Sequence, residues 1–232
     1  MVVKEAPLPL EYRLLQQHSP IPRQYRFLQE FERRIINRLP PPEHELELRQ
    51  RAIASAQLGL ALAEKRWASK ENRVVVWLGG LCHDIGKGRM WKQYLKLHPD
   101  DISPEQKQVL KRVLWDWHTR RALEIIREAA EAVQKKVNPL PEEKNMLNRV
   151  REDILQHENV DGRHSRTGRM MVIADAYAAY SRQLPYRPKL RTPAARLARI
   201  RKKYSHPHYR EAIAALERLA PHIRKRFPIV EG

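Results

Sequence analysis

The sequence predicts an all-α protein. Only 8 of its 232 residues are glycine, and runs of β-branched residues are few. Apolar residues recur three and four positions apart, the spacing of amphipathic helices, and prolines interrupt this pattern where helices would end. We therefore expect a helical bundle of single-domain size, with residues 1–42 as an N-terminal helical extension and residues 43–232 as the domain itself.

The first half of the chain divides into three helical segments. Residues 10–38 are typical of one or two amphipathic helices, with apolar positions such as Leu28 and Phe31. The three consecutive prolines ending at Pro42 stop this segment. A long helix is predicted from about 43 to 67, and the next helix, which is predicted to carry His83, begins near Asn72.

The second half begins with a helix start at Ser103 and Pro104, with serine as the N-cap and proline at the first helical position. We expect a helix over 104–136 that breaks near His118. The remaining helices are predicted at about 142–162, at about 166–183, from Pro193, and after Pro207.

The charge of the chain is strongly positive. Lys and Arg number 45 and Asp and Glu 27, which gives a formal net charge of +18. This balance favours anionic partners such as a nucleotide, nucleic acid, an acidic protein or a membrane surface, although it is also typical of a highly soluble protein surface. Nucleic acid is one candidate partner because of a basic run that includes Arg187, Lys189, Arg191, Arg196, Arg199, Arg201, Lys202 and Lys203.

A cytoplasmic location is the expectation from three features. The chain has one cysteine, Cys82, so it forms no internal disulfide framework, and its apolar context is typical of a small core residue. No apolar run approaches 18 residues, which predicts no transmembrane helix. The N-terminal residues lack the apolar core of a signal peptide.

Residues 79–88 hold the most informative motif. His83 and Asp84 place an imidazole beside a carboxylate, and Lys87 follows one helical turn later. Nitrogen and anionic oxygen donors that converge on one point can hold a metal ion. Lys87 would add a positive charge beside a bound phosphate. The apolar run 74–78 predicts that this segment is buried, where an unpaired Asp is costly.

Four further donors stand along the predicted helices: Glu47, His118, His157 and Asp175. Taken singly, each is more often structural or exposed than a metal ligand. Asp175 in particular lies in an apolar stripe, which fits a metal ligand and a buried ion-pair partner equally well.

Taken in order, these segments resemble the HD superfamily of metal-dependent phosphohydrolases, and more narrowly its HD-GYP branch of bacterial cyclic di-GMP phosphodiesterases. The resemblance runs from about residue 45 to 218. The segments that carry it are Gly80–Lys87, His118 with Glu124–Ile126, His157–Gly162, Ile173–Tyr177, Pro185–Arg187 and Ser205–Tyr209.

The resemblance implies an all-α bundle around one to three Fe or Mn ions that hydrolyses a phosphodiester. It implies that Asp84 bridges the metal ions, and that Lys87 and Arg187 contact the substrate phosphate. The other ligands that it implies are His83, His118, His157, Asp175 and Glu47. A metal ion in such a site polarises the phosphoryl oxygen and lowers the pKa of bound water.

The sequence departs from the family pattern at several positions. Arg51 stands where the family has its first metal-binding histidine, and Gln156 stands where the first member of a His-His pair is usual. The Gly-Tyr-Pro loop is replaced by the arginine-rich residues 162–169. Leu184 replaces an arginine and Ala178 replaces an aspartate.

Arg51 is the most consequential departure, because a guanidinium cannot ligate a metal and stays charged. A unit charge about 5 Å from a divalent ion costs roughly 6–7 kcal/mol at an effective dielectric near 20. Pairing of Arg51 with Glu47, Asp84 or Asp175 would turn a metal site into a buried ion-pair cluster. His164 is a candidate replacement donor.

Two kinds of function follow. The first is a divergent phosphodiesterase of HD-GYP type that acts on a nucleotide, a cyclic dinucleotide or another phosphorylated small molecule, with Asp84 and Lys87 as catalytic residues. The second is a catalytically degenerate HD domain that binds an anionic ligand such as a nucleotide, or nucleic acid. The surviving donors favour the first function, and Arg51 and Gln156 favour the second.

Overall fold

The computed structural model describes residues 18–39, 42–64, 69–87, 103–159, 164–181, 190 and 192–227. Over these residues the chain forms eight α-helices and one 3₁₀ turn and contains no β-strand, so the predicted all-α class is confirmed. The helices are α1 Arg26–Arg38, α2 Pro42–Glu64, α3 Lys70–Cys82, α4 Pro104–Gln134, α5 Pro141–Gln156, α6 Arg166–Tyr180, α7 Pro193–Lys203 and α8 Arg210–Arg226, with the 3₁₀ turn at Pro207–Tyr209.

Three predictions about the helices are wrong, and each concerns a histidine. Helix α3 ends at Cys82, so His83 is its C-cap and begins a turn instead of lying within the helix. Helix α4 continues through His118 without the predicted break, since no glycine or proline interrupts it there. Helix α5 ends at Gln156 rather than near residue 162, and His157 is its C-cap. His118 therefore lies within a continuous helix, whereas His157 lies at the point where the chain leaves α5.

The core consists of two apolar clusters that meet along α2 and α3. One cluster joins these helices to α1, α4 and α5, and the other joins them to α6, α7 and α8. The apolar face of α1, which includes Leu28, Phe31 and Ile35, is fully buried in the first cluster. The division of the chain at residue 42 stays a prediction.

The backbones of α2 and α3 touch at Gly80. A Cβ atom at this position would lie 2.5 Å from Cα of Ala56, which is closer than two non-bonded carbon atoms approach each other in proteins. This contact needs a glycine, and it brings the α2 turns that carry Arg51 and Ser55 beside the end of α3.

A buried carboxyl group fixes α1 against α3. The indole Nε1 of Trp77 donates a hydrogen bond to Oε1 of Glu32, and both side chains are buried. Burial raises the pKa of Glu32 from its ordinary 4.5 to about 7, although hydrogen bonds from Trp77 and Ser19 work in the opposite direction. Burial, with the nearby charge of Glu32, also raises the pKa of the Cys82 thiol, which is fully buried as its apolar context predicted.

We expect the stability of the fold to fall as the pH rises through about 7. The folded form holds the Glu32 proton more tightly than the unfolded chain, so the stabilisation is present below the unfolded pKa and is lost above the folded one. The loss is up to about 3 kcal/mol in the free energy of unfolding. Urea denaturation between pH 5 and 8 measures it. In Glu32→Gln, which keeps an acceptor for Trp77, the extra pH dependence should vanish. An unchanged pH dependence in that variant would contradict the assignment to Glu32.

Among the described residues, no helix combines the length and the apolar character needed to cross a membrane.

Candidate metal centre

Five segments bring polar side chains to one buried place in the bundle. The turn after α3 supplies three of these side chains, and α2, α4, α6 and the end of α5 supply the others. They are Arg51 and Ser55 from α2, His83, Asp84 and Lys87 from the turn, His118 from α4, His157 and Glu158 after α5, and Asp175 from α6.

The turn after α3 is fixed by backbone hydrogen bonds. The N–H of His83 donates to the carbonyl oxygen of Gly79 at 2.9 Å, and the N–H of Lys87 donates to that of Asp84 at 3.0 Å. The Nδ1 atom of His83 lies 2.9 Å from the carbonyl oxygen of Gly80, which directs its Nε2 atom towards the carboxylates. The turn thus presents three side chains in a defined orientation.

Gly86 sets the distance between this turn and α4. A Cβ atom at residue 86 would lie 2.0 Å from the carbonyl oxygen of His118 and 2.6 Å from the backbone nitrogen of Ala122. Both atoms belong to the helix backbone and cannot move aside as a side chain would. The glycine therefore allows Asp84 and His118 to face the same point.

We expect Gly86→Ala to lower the free energy of unfolding by about 1–3 kcal/mol, because the added methyl group pushes the turn away from α4. Gly79→Ala is a matched control, since a Cβ there would meet only the flexible end of Met171. Chemical denaturation of the two variants compares them. Equal stability of the two variants would mean that the turn does not rest on α4 as described.

Arg51 lies among His83, Asp84 and Asp175. Its Nε and Nη2 atoms donate to the two carboxylate oxygens of Asp175 at 2.8 and 2.7 Å, and Nη1 lies 3.2 Å from Oδ2 of Asp84. Ser55 adds a hydrogen bond to Oδ1 of Asp175 at 3.3 Å. Such a two-pronged contact between a guanidinium and a carboxylate is among the strong hydrogen-bonded ion pairs in proteins.

Two further cationic groups face the same carboxylates. Nζ of Lys87 lies 2.5 Å from Oδ1 of Asp84, and Nε2 of His83 lies 3.1 Å from Oδ1 of Asp175. Burial opposes ionisation of Asp84 and Asp175, but the charges of Arg51 and His83 outweigh it and hold both pKa values below the ordinary range. Burial also disfavours the charged form of His83, but the two carboxylates raise its pKa. The two carboxylates are thus neutralised by cations of the chain itself.

A second group of donors lies on the other side of Asp84. The Nε2 atoms of His118 and His157 lie 3.3 Å apart, and Nδ1 of His157 lies 2.5 Å from the carbonyl oxygen of Ile154. Burial, helped by the charge of Lys87, lowers the pKa of His118 to about 4, so its ring is neutral near pH 7. Two imidazole nitrogens that face each other across such a distance are suitably placed to ligate one metal ion.

Glu158 joins this second group, and the sequence interpretation missed it. Its Oε1 atom lies 3.4 Å from Nε2 of His157 and 3.6 Å from Nε2 of His118. Burial opposes ionisation of Glu158, but its contact with His157 and the charges around it lower its pKa. The Glu158 side chain is 28% exposed and that of Asp175 is 18% exposed. The side chains that are at most 5% exposed are those of His83, Asp84, Lys87, His118 and His157. These two carboxylates therefore lie at the mouth of the site.

The remaining predicted site residues stand apart from this cluster or outside the described parts. Glu47 lies within α2, but its side chain is not among those described, and Arg187 also falls outside the described residues. Gln156 is exposed at the end of α5. His164, the candidate replacement donor, directs Nε2 to the carbonyl oxygen of Asn159 at 2.5 Å.

Comparison with protein-family models gives one match, which covers residues 49–180, more than half of the chain, and is described as the HD domain. The chain belongs to the HD-domain family. This superfamily comprises metal-dependent phosphohydrolases, and HD domains generally hold divalent metal ions. Comparison with curated proteins and with solved structures gave no match. The membership predicted from the motif order is confirmed, and assignment to the HD-GYP branch stays a prediction.

The described residues of the HD domain form two groups of potential ligands that share Asp84. One consists of His83, Asp84 and Asp175, and the other of Asp84, His118 and His157. A divalent ion does not fit the first group, because the Arg51 guanidinium itself bridges the two carboxylates of that group, Asp84 and Asp175. It fits the second group, where two imidazoles and a carboxylate present their ligand atoms within 4.8 Å of one another.

Proposed function

We propose that this HD domain is a phosphohydrolase that holds a single divalent ion, Fe²⁺ or Mn²⁺, at Asp84, His118 and His157. The 3.3 Å approach of the two histidine Nε2 atoms, with His118 kept neutral, is the observation that carries the proposal. The Arg51 guanidinium takes the place of a second ion beside Asp84 and Asp175. When bound, the ion would polarise a phosphoryl oxygen and lower the pKa of its bound water.

The chain's own side chains provide the rest of the chemistry. The Lys87 ammonium group, 2.5 Å from Asp84, adds a positive charge that favours a phosphate at the site. The Glu158 carboxylate is partly exposed next to the histidine pair and its pKa is lowered, so it stays ionised and can orient a water molecule by accepting a hydrogen bond from it. Arg187 remains a proposed phosphate contact, on the resemblance alone. A phosphodiester of a nucleotide or cyclic dinucleotide is the substrate class we propose.

Hydrolysis of bis(p-nitrophenyl) phosphate and of cyclic di-GMP, with Mn²⁺ or Fe²⁺ supplied, tests this proposal. We expect metal-dependent turnover of at least one phosphodiester, lost in His157→Ala and retained in Gln156→Ala. Gln156 is the matched control, because it precedes His157 but its side chain is exposed. Metal-loaded protein that turns over neither substrate would contradict the proposed activity.

A second candidate function is an HD domain that binds an anionic ligand without hydrolysing it. The ion pairs of Arg51 with Asp175 and Asp84 favour this function, because the guanidinium takes the place of a metal ion in the first ligand group. Calorimetric titration of metal-free protein with nucleotides and cyclic di-GMP distinguishes the two functions. Binding without turnover, unaffected by added Mn²⁺, would support the second function, whereas metal-dependent turnover would exclude it.

A further inference from the structure

The positive charge of the protein is concentrated on its C-terminal helices. Residues 193–226, which form α7, the 3₁₀ turn and α8, contain ten lysines and arginines but only two glutamates and no aspartate. Residues 104–156, which form α4 and α5, contain eleven lysines and arginines against nine acidic residues. Residues 193–226 therefore carry +8 of the formal net charge of +18, whereas residues 104–156 carry only +2.

The two basic helices form one continuous surface. Arg201 of α7 pairs with Glu217 of α8 at 2.7 Å, so their exposed sides adjoin, and Glu211 pairs with Arg166 at 2.6 Å. Both acidic side chains of the segment thus already face arginines. We call the exposed sides of these two helices the α7–α8 surface. Its exposed cations include Arg199, Lys202, Lys203, Arg210, Arg218 and Lys225.

One residue of the predicted basic run does not belong to this surface. Arg196 is buried, and its Nε atom donates to the carbonyl oxygen of Leu190 at 2.7 Å while its guanidinium lies over the ring of Tyr177. Arg196 therefore holds α7 against the fold. Arg187, Lys189 and Arg191 fall outside the described residues.

We propose that the α7–α8 surface binds the phosphodiester backbone of nucleic acid, independently of sequence. Helix α8 has 17 residues and is therefore about 25 Å long, a length over which a duplex presents on the order of fifteen phosphate charges. Cations along such a helix can face several phosphates at once. The surface offers few aromatic side chains for stacking, so it contacts the backbone and does not read bases.

The composition of the surface argues against a membrane as its partner. A helix that lies in a membrane interface combines basic residues with large exposed apolar side chains. Among the described residues, the large apolar side chains that are exposed are Val109, Val113, Leu140 and Leu155, and these belong to α4, α5 and the loop before α5. The α7–α8 surface has charge without an apolar anchor, which suits a hydrated polyanion.

Fluorescence anisotropy with a labelled duplex of about 25 base pairs and a single-stranded RNA of similar length tests the proposal on the full chain. We expect binding at low salt that weakens on the order of a hundredfold between about 50 and 200 mM salt, as four phosphate contacts predict. In Arg199→Ala/Lys202→Ala/Lys203→Ala, affinity should fall at least tenfold, and the slope of log affinity against log salt should decrease by about 3.

The matched control removes three positive charges from the exposed side of α4 and the turn after it, in Arg120→Ala/Lys135→Ala/Lys136→Ala. This control should bind within about twofold of the unchanged protein. An equal loss of nucleic-acid affinity in both variants would mean that binding depends on the total charge of the protein and not on the α7–α8 surface, and would overturn the proposal. No binding of either nucleic acid at low salt, or binding to anionic phospholipid vesicles in its place, would also overturn it. None of these outcomes depends on metal or turnover at the HD site.

Discussion

Replacing Arg51 with alanine is expected to lower the free energy of unfolding by about 3–5 kcal/mol, because it leaves buried charge without its partner. The Arg51 side chain is 10% exposed and bridges two carboxylates from different helices, Asp175 of α6 and Asp84 after α3. Without the guanidinium, these carboxylates retain His83 and Lys87 as partners, but α2 keeps the Ser55 hydrogen bond to Asp175 of α6 and loses the two from Arg51. Urea denaturation at constant pH and salt measures the change.

A second arginine in the chain provides the control for this prediction. Arg33 pairs with Glu30 on α1 at the same 2.7 Å nitrogen–oxygen distance, but its side chain is 30% exposed. Arg33→Ala should change the free energy of unfolding by less than about 1 kcal/mol, as exposed ion pairs usually do. If both substitutions lower the free energy of unfolding equally, Arg51 does not act as a buried bridge between Asp84 and Asp175, and the description of the first ligand group is wrong.

Removing either histidine of the pair should weaken Mn²⁺ binding at least about a hundredfold, since loss of even an outer partner of a ligand costs 10–100-fold. Each substitution would remove a proposed ligand atom, because Nε2 of His118 and Nε2 of His157 lie 3.3 Å apart and face the same position. Calorimetric titration of His118→Ala and His157→Ala with Mn²⁺ provides the measurement.

Two comparisons make this prediction specific. Gln156→Ala should leave the Mn²⁺ affinity within about twofold, because the Gln156 side chain is exposed. Mn²⁺ should also raise the melting temperature of the unchanged protein and not that of His157→Ala, because only a folded form with the site intact gains free energy from binding. An Mn²⁺ affinity that survives both histidine substitutions would place the ion elsewhere.

The sequence predicted the helical class and the family, because both depend on local signals, but it placed His83 on the helix that ends before it, at Cys82. Periodic apolar residues indicate helices, and the His-Asp-Ile-Gly-Lys string is specific by itself. Gly86 within that string shows why the motif is so constrained, since the backbone of α4 leaves no room for a side chain. Helix ends were less predictable. The absence of glycine and proline around His118 favoured the continuous α4, but the expectation of a break there gave this signal too little weight.

The partners of the charged residues could not be predicted, because they lie far apart in the sequence. Spacing allowed Arg51 to pair with Glu47, Asp84 or Asp175, and only the packing of α2 against α6 brings Asp175 into the two-pronged contact. Glu158 was missed for a similar reason. Its carboxylate meets His118 only because α5 ends early, at Gln156, which a helix predicted to reach residue 162 did not allow.

The number of bound metal ions shows whether Arg51 fills one half of the HD site and leaves one ion position. We would purify the protein without oxygen, with Mn²⁺ or Fe²⁺ supplied, and measure bound metal by plasma mass spectrometry. We expect about one ion per chain in the unchanged protein and about two in Arg51→His, where an imidazole replaces the cation. Two ions in the unchanged protein, or none in either form, would contradict this expectation.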